Sequence, residues 1–442
     1  MAASEEARMG SAGTAKTTIR QPRPAIGLGH AIALYVGAVL GAGVLVLPGQ
    51  VASLAGPASL LAWAFIGSLG LPLAMTFAAL ASRFPDAGGI VVFAGRAFGE
   101  RAGGVAGWWY FTAVALGHVI VPLTGGYYVA SALRIDQRFA YLFAGVILLL
   151  AVAANLAGLR VSGRVQLALA AGVSLLLLVT ILVALPRVDP GDFTPFAPHG
   201  AVSIGRAAVV LFFAFAGWEA VAHLAGEFHD ARRDLTRATA ITVVTVLVLY
   251  SGVAFAVVVT GSYGSSTTDR VAVGSVLGAG FGISAATAAG VLAVVISAGT
   301  TNAFMAAISR LGYALARDQW FPRSMARLNT RGVPAVGVCA TAGMGVAGLL
   351  TSYFARWGTE DLVSVPSTLI LVTYLIGTAA GARLLSGRAR VVAVVAFVLT
   401  AFVAPFAAAY VAVPVVVAVA ALGYRRLASR RSIRHRSGRD RG

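Results

Sequence analysis

The sequence predicts an all-α polytopic membrane protein of about twelve transmembrane helices. Three observations carry that prediction: charge is sparse, apolar residues come in runs of membrane-spanning length, and basic residues gather on one side of those runs. Of the 442 residues 58% are hydrophobic and 11% charged, less than half the charged share of about a quarter usual in soluble domains. A chain so poor in charge has too little polar surface to cover its apolar side chains in water.

Apolar runs of ~20 residues, the length that crosses ~30 Å of hydrocarbon, recur almost without interruption from residue 28 to residue 424. Spans are expected at 28–54, 57–81, 105–133, 138–158, 165–186, 202–228, 238–261, 283–309, 333–353, 362–384, 390–404 and 406–424. The last two divide one apolar stretch near Pro405. On the side opposite the amino terminus the basic residues are Arg134, Arg138, Arg187, Arg206, Arg270 and Arg356, leaving 28 of the 34 Lys and Arg on the amino-terminal side. This positive-inside bias places both termini in the cytoplasm and requires an even number of crossings.

The domain organisation expected is a cytoplasmic tail at 1–26, a membrane domain at 27–424, and a basic cytoplasmic tail at 425–442. The membrane domain divides into five-helix repeats at 27–186 and 202–384, with two accessory helices at 390–424. The net charge of +18 would suit nucleic acid only if the basic residues shared one water-facing surface with aromatics. They do not, so nucleic acid is excluded as a partner. Residues 1–24 lack the apolar core and small-residue cleavage site of a signal peptide, so the first apolar run is expected to be retained. The single cysteine, Cys339, offers neither a disulfide nor a metal cluster and is expected to be a small buried side chain. The run Arg425-Arg-Leu-Ala-Ser-Arg-Arg-Ser-Ile-Arg-His-Arg436 is expected to stay disordered and to meet anionic lipid.

Two spans are unlike the rest. The first carries Gly37, Gly41 and Gly43 followed by Pro48, and the sixth carries Phe213-Ala-Phe-Ala-Gly-Trp-Glu219. Glycine weakens a helix by ~1 kcal/mol relative to Ala, and backbone unpaired at membrane depth must face protein or a water-filled cavity. Breaks there imply a site. The two spans are separated by five crossings, an odd number, so a repeated five-helix unit returns upside down, the plan of many secondary transporters.

These residues resemble a known family. Gly41-Ala-Gly-Val-Leu-Val-Leu-Pro48 is similar to the Gly-Ser-Gly-Ile/Val-Phe segment in the first helix of the amino acid, polyamine and organocation transporter superfamily, and Arg83-Phe-Pro-Asp-Ala-Gly-Gly89 to its first cytoplasmic loop. The stretch from Phe215-Ala-Gly-Trp-Glu219 to Glu227, with Arg233 and Arg237, resembles its sixth helix and the loop after it. Ser309-Arg-Leu-Gly-Tyr-Ala-Leu-Ala-Arg-Asp-Gln-Trp-Phe-Pro322, with Val333-Pro334, resembles the exit of the eighth. Glu219-Ala-Val-Ala-His-Leu-Ala-Gly-Glu-Phe228, Asn302 and Leu384-Leu-Ser-Gly-Arg-Ala-Arg-Val-Val-Ala-Val394 are most similar to the superfamily's bacterial exporters of methionine and branched-chain amino acids. The resemblance implies a LeuT-like 5+5 inverted repeat with broken helices 1 and 6, and an amino acid permease working by alternating access.

An amino acid substrate needs partners for its carboxylate, ammonium and side chain. Amides around Gly41, Ala42 and Gly43, at the start of a half-helix, can donate to the carboxylate. Carbonyls of Phe215, Ala216 and Gly217 can accept from the ammonium, as the resemblance also implies. Ala42 departs from the family's usual Ser or Thr and removes a hydroxyl donor. Likeness to arginine/agmatine antiporters implies pocket positions at Ala113, Val114 and His118, and gating aromatics at Phe213 and Phe304. Asn302 joins the substrate-site candidates as one of few strongly polar residues of the eighth span.

Glu219 is the only carboxylate deep within an apolar span, where a charge costs about 2.5 to 3.5 kcal/mol, and it is the candidate proton-coupling group with His223 one turn on. Some relatives carry a lysine in the fifth helix in place of sodium, but here Lys16 is the sole lysine and 168–173 offers no substitute. No metal-ligand spacing or nucleophile–base pair occurs at membrane depth, so no enzyme activity, cofactor or metal is expected. Without another buried charge to select a charged side chain, the cargo expected is a neutral amino acid, and the exporter likeness implies efflux. The coupling species expected is a proton or an exchanged amino acid, and the assembly a monomer or homodimer. A proton-coupled importer or antiporter of amino acids or polyamines, and a non-transporting membrane sensor, are the competing readings.

Overall fold

A computed structural model describes residues 32, 35–37, 39–84, 89–158, 163–218 and 231–439 of the chain. The described part is helical throughout, with no strand among these residues. Helical residues between Ile32 and Val39 lead into α1 (Gly43–Ala55), and a 3-10 turn at Gly56–Ala58 joins α1 to α2 (Ser59–Arg83). There follow α3 (Ile90–Phe98), α4 (Glu100–Leu133), α5 (Ala140–Leu156), α6 (Gly163–Ala184) and α7 (Ala201–Leu211). The second half contains α8 (Ala231–Val259), α9 (Ser266–Asp269), α10 (Ala272–Phe281), α11 (Ile283–Arg317), α12 (Ala335–Ala355), α13 (Thr359–Leu362) and α14 (Ser364–Leu384). The chain ends with α15 (Gly387–Val403) and α16 (Ala412–Arg439).

Among the described residues nine helical stretches are long and apolar enough to cross a membrane, the first of them, Gly43–Arg83, containing both α1 and α2. The shorter α7 and the apolar start of α16 occupy two further expected spans.

Packing partners recur between the two halves. Pairing α1 with α7, α2 with α8, α3 with α10, α4 with α11, α5 with α12 and α6 with α14, the helices of each of the first, second, fourth and fifth pairs touch one another. The contact of α3 with α4 recurs as α10 with α11, that of α4 with α5 as α11 with α12, and that of α6 with α8 as α14 with α2. The amphipathic helix α3 and the α9–α10 pair, both absent from the expected spans, are thus equivalent pieces lying on opposite faces. This is the inverted repeat.

Close helix approach relies on missing side chains. A Cβ on Gly126 of α4 would lie 2.1 Å from the Ala140 carbonyl oxygen, and one on Gly125 would lie 2.8 Å from Ser297 Cβ of α11. Two expectations are corrected. Cys339 is exposed, because α12 sits at the rim of the bundle where the outward side meets lipid. The last two spans are joined by a 3-10 stretch, Ala404–Tyr410, that contains Pro405. The basic tail continues α16 as helix to Arg439, since Arg, Ala and Leu are good helix formers.

Asp269, at the end of α9, is buried against α1 and accepts from the Gly264 amide at 3.0 Å. Burial pushes its carboxyl above the ordinary value, while hydrogen bonds from Ser53 and Gly264 pull the other way. The folded chain therefore holds this proton more readily than the unfolded chain. Its contribution to stability is complete below the ordinary carboxylate value of about 4 and is lost as pH rises through the raised one. Melting curves in detergent across that range should show the wild type losing stability relative to Asp269→Asn as pH rises, with a constant difference refuting the assignment.

Candidate functional site

The first crossing breaks where expected. Leu40 donates to the Val36 carbonyl at 2.7 Å, Gly41 folds back to Val39 at 2.8 Å, and helix resumes at Gly43 with no side chain capping α1. In the first turn of α1 the Leu45 amide donates to the Ala42 carbonyl at 3.1 Å, and the helix start carries the positive end of its dipole. The sixth crossing breaks after Leu211: residues 212–217 are turns, and Gly217 has φ +118°, a conformation that L side chains rarely adopt.

The two breaks face each other. A Cβ on Gly43 would lie 3.4 Å from Ala214 Cα, so a side chain there would press on the backbone of the other break. Hydroxyls from neighbouring helices hold both in place. Tyr250 of α8 donates to the Val39 carbonyl at 2.9 Å, and Tyr35 donates to Trp218 at 3.0 Å. Ser367 of α14 donates to Val210 at 2.9 Å, while the Tyr374 hydroxyl accepts from the Gly217 amide at 3.1 Å.

Beside the breaks α4 and α11 form an apolar wall. A Cβ on Gly117 would lie 3.2 Å from the Phe304 ring and 3.7 Å from that of Phe213, so the absent side chain gives both rings their seat. Thr300 lies on the other side of the first break, its γ-methyl 3.5 Å from the point a Cβ on Gly41 would occupy. The structure thus brings together Gly41, Ala42, Gly43, Phe213 and Phe304. It also adds Gly117 and Thr300, which the sequence analysis missed; an isolated hydroxyl or glycine in an apolar span carries no sign of which neighbour it faces.

Other candidates fall at the edge or elsewhere. His118 is fully buried, its Nδ1 2.9 Å from the Val114 carbonyl, so that nitrogen carries the hydrogen and Nε2 is an acceptor without a partner among the described residues. Its ring centroid is 6.3 Å from that of Phe304, but its Cβ faces α12 at Gly345, away from the breaks. Ala113 and Val114 are buried one turn earlier on α4. The Phe215 ring joins the core with Trp63, Trp218 and Tyr250, leaving backbone as the contribution of Phe215, Ala216 and Gly217 to any site. Asn302 is engaged by Asn155 of α5, whose amide donates to Asn302 Oδ1 at 2.8 Å. Glu219 and His223 lie outside the described residues. No group of three or more His, Cys, Asp or Glu among the described residues could hold a metal.

Two facing helix breaks beside a paired α4–α11 wall are the arrangement expected from the sequence resemblance, and comparison with known proteins agrees. The model of the Amino acid permease family matches residues 26–426. The chain belongs to that family. It is 33% identical over 397 residues to the uncharacterized amino acid permease YecA of Bacillus subtilis, covering 89% of this chain and 93% of that protein. It is 30% identical over 387 residues to the L-methionine/branched-chain amino acid exporter YjeH of Escherichia coli, covering 84% and 88%. The branched-chain amino acid permease BcaP of Lactococcus lactis is 23% identical over 376 residues, covering 78% of this chain and 79% of that protein. The protein is accordingly a multi-pass membrane transporter of amino acids.

The Gly117 seat gives a direct test. Gly117→Val should drive two methyl groups into the rings of Phe304 and Phe213 and lower amino acid affinity by at least roughly tenfold, with a melting loss of a few degrees at most. Isothermal titration in detergent reads the affinity, and unchanged binding removes the two rings from the site.

Proposed function

We propose that this permease carries neutral, apolar amino acids across the cell membrane from one site between the two helix breaks, with both termini in the cytoplasm. The observation that carries the reading is the contact of Gly43 with Ala214, which sets the uncapped start of α1 against the turn backbone of the sixth crossing. The amides of Gly41, Ala42 and Gly43 take the carboxylate, and the turn carbonyls of Phe215, Ala216 and Gly217 take the ammonium. The rings of Phe213 and Phe304 take the side chain. Thr300 lines the first break with its γ-methyl, which adds apolar surface beside Gly41. Ala113, Val114 and His118 are buried in α4 and support the wall, while Asn302 braces α11 through Asn155.

An apolar cargo fits the wall: among the described residues at the breaks none has a charged side chain, and an ionised cargo side chain would meet no counter-charge from them. The similarity to an exporter of methionine and branched-chain amino acids supports outward movement. The weaker similarity to a branched-chain permease supports the same cargo class and leaves import as the second reading. In proteoliposomes, preloaded leucine, isoleucine or methionine should drive counterflow of the labelled amino acid, whereas lysine and glutamate should not. Equal counterflow by a charged amino acid refutes the cargo class.

Glu219 is the coupling group in this reading, with His223 as its proton partner, because it is the only carboxylate that the sequence places deep in a span. Glu219→Gln should fold and bind yet lose the pH dependence of transport measured under an imposed proton gradient. A pH profile like that of the parent takes Glu219 out of coupling.

A further inference from the structure

The face with few arginines is closed over α1, and the closing contacts can be traced to one side chain. A Cβ on Gly49 would lie 2.7 Å from both Asp269 Cα and its carbonyl oxygen, so α9 rests on α1 backbone to backbone. Further ties to α1 are that Gln50 Nε2 donates to Thr359 Oγ1 at 2.7 Å, that the Gly264 amide donates to Ser53 at 2.8 Å, and that Ser53 hydrogen-bonds the Asp269 carboxyl. The residue after Asp269 is Arg270, and wherever Arg270 is pinned, Asp269 is held against Gly49.

Arg270 is pinned from three sides. Its Nε donates to Glu360 Oε2 at 3.2 Å and its Nη2 to Glu360 Oε1, a two-pronged pair with α13. Its Nη1 donates to Gln137, in the α4–α5 corner, at 2.8 Å, and its guanidinium lies 4.6 Å above the Tyr127 ring of α4. The pair is mostly shielded, with 16% of the Arg270 side chain and 31% of the Glu360 side chain exposed, so salt screens it less than a surface pair. Gly358 makes room for it: a Cβ there would lie 2.3 Å from Arg270 Nη2. The α9–α10 lid is thereby fastened at once to the wall helix α4 and to the start of α14.

We propose that the Arg270–Glu360 pair is the lock of the outer gate, holding Asp269 on Gly49 so that α1 cannot tilt away and open the breaks to that face. Release of the pair frees the lid, and the path along α1 opens. The assignment of this face to the outside rests on the orientation proposed above.

The test reads access rather than flux. Ala52 is 1% exposed on α1 and packs in one cluster with Ala272 of α10, so a cysteine there is covered by the lid. In full-length protein carrying Ala52→Cys and Cys339→Ala, in right-side-out vesicles, a membrane-impermeant maleimide should label slowly. Adding Glu360→Gln should raise the labelling rate roughly tenfold, as expected when a charge-assisted two-pronged pair is weakened. Gly358→Ala, which pushes a methyl into the guanidinium, should do the same without removing a charge. Parental labelling in the folded Glu360→Gln protein, as judged by its melting temperature, overturns the lock whatever Gly358→Ala does. Faster labelling without counterflow of any amino acid would leave the lock standing and refute the transport reading instead.

Discussion

Backbone amides and carbonyls released from two helices at membrane depth have to be held somewhere, because each one left unpaired in hydrocarbon costs several kcal/mol. Most of the arrangement around the site answers that need. Tyr250 reaches the first break from α8, Ser367 and Tyr374 reach the second from α14, and Tyr35 ties the first crossing to Trp218 of the sixth. Each hydroxyl satisfies a group that regular helix would have satisfied locally. Each also joins a break to an element of the surrounding bundle, so the breaks keep their positions through packing and hydrogen bonds together.

The wall opposite the breaks is rigid for a different reason. Helices α4 and α11 approach closely at Gly125, and α4 meets the α5 start at Gly126, where even a methyl group would clash with backbone. Interiors packed this densely shift between discrete arrangements rather than deform continuously. Gly117 and Phe304 therefore move with the wall. The breaks, held by hydroxyl tethers, can change their relation to it. In the proposed site, a cargo held between the wall and the tethered half-helices biases the rearrangement by its difference in affinity for the two states.

Hydropathy made the spans legible and glycine placement the two breaks, because each of these is a property of consecutive residues. What escaped was everything set by neighbours distant in sequence. Helix α3 and the α9–α10 lid are too short to register as spans, although they are equivalent pieces of the two repeats. Hydropathy also cannot separate a side chain facing lipid from one facing protein, which is why Cys339 was expected to be buried and is exposed. Asn302 was read as a polar residue awaiting a substrate, but its partner Asn155 lies 147 positions earlier and no local pattern marks the pair. Phe215 carried a motif resemblance, and only packing shows that its ring belongs to the core while its backbone stands at the break.

Charge is distributed in a way that separates selection from gating. The described breaks present backbone dipoles and aromatic rings, groups that suit a zwitterion with an apolar side chain and cost little to desolvate when empty. The strongest electrostatic contact of the closed face, Arg270 with Glu360, lies instead at the water boundary, where both partners can be rehydrated once parted. A fully buried pair would be costly to break, since separation strands a charge in low dielectric. At the boundary that penalty falls, so the same contact can hold the gate shut and still release it within a transport cycle. On the two proposals above, changes at the Phe213 and Phe304 wall act on which amino acid binds, while changes at Arg270, Gly358 or Glu360 act on which side of the membrane the site sees.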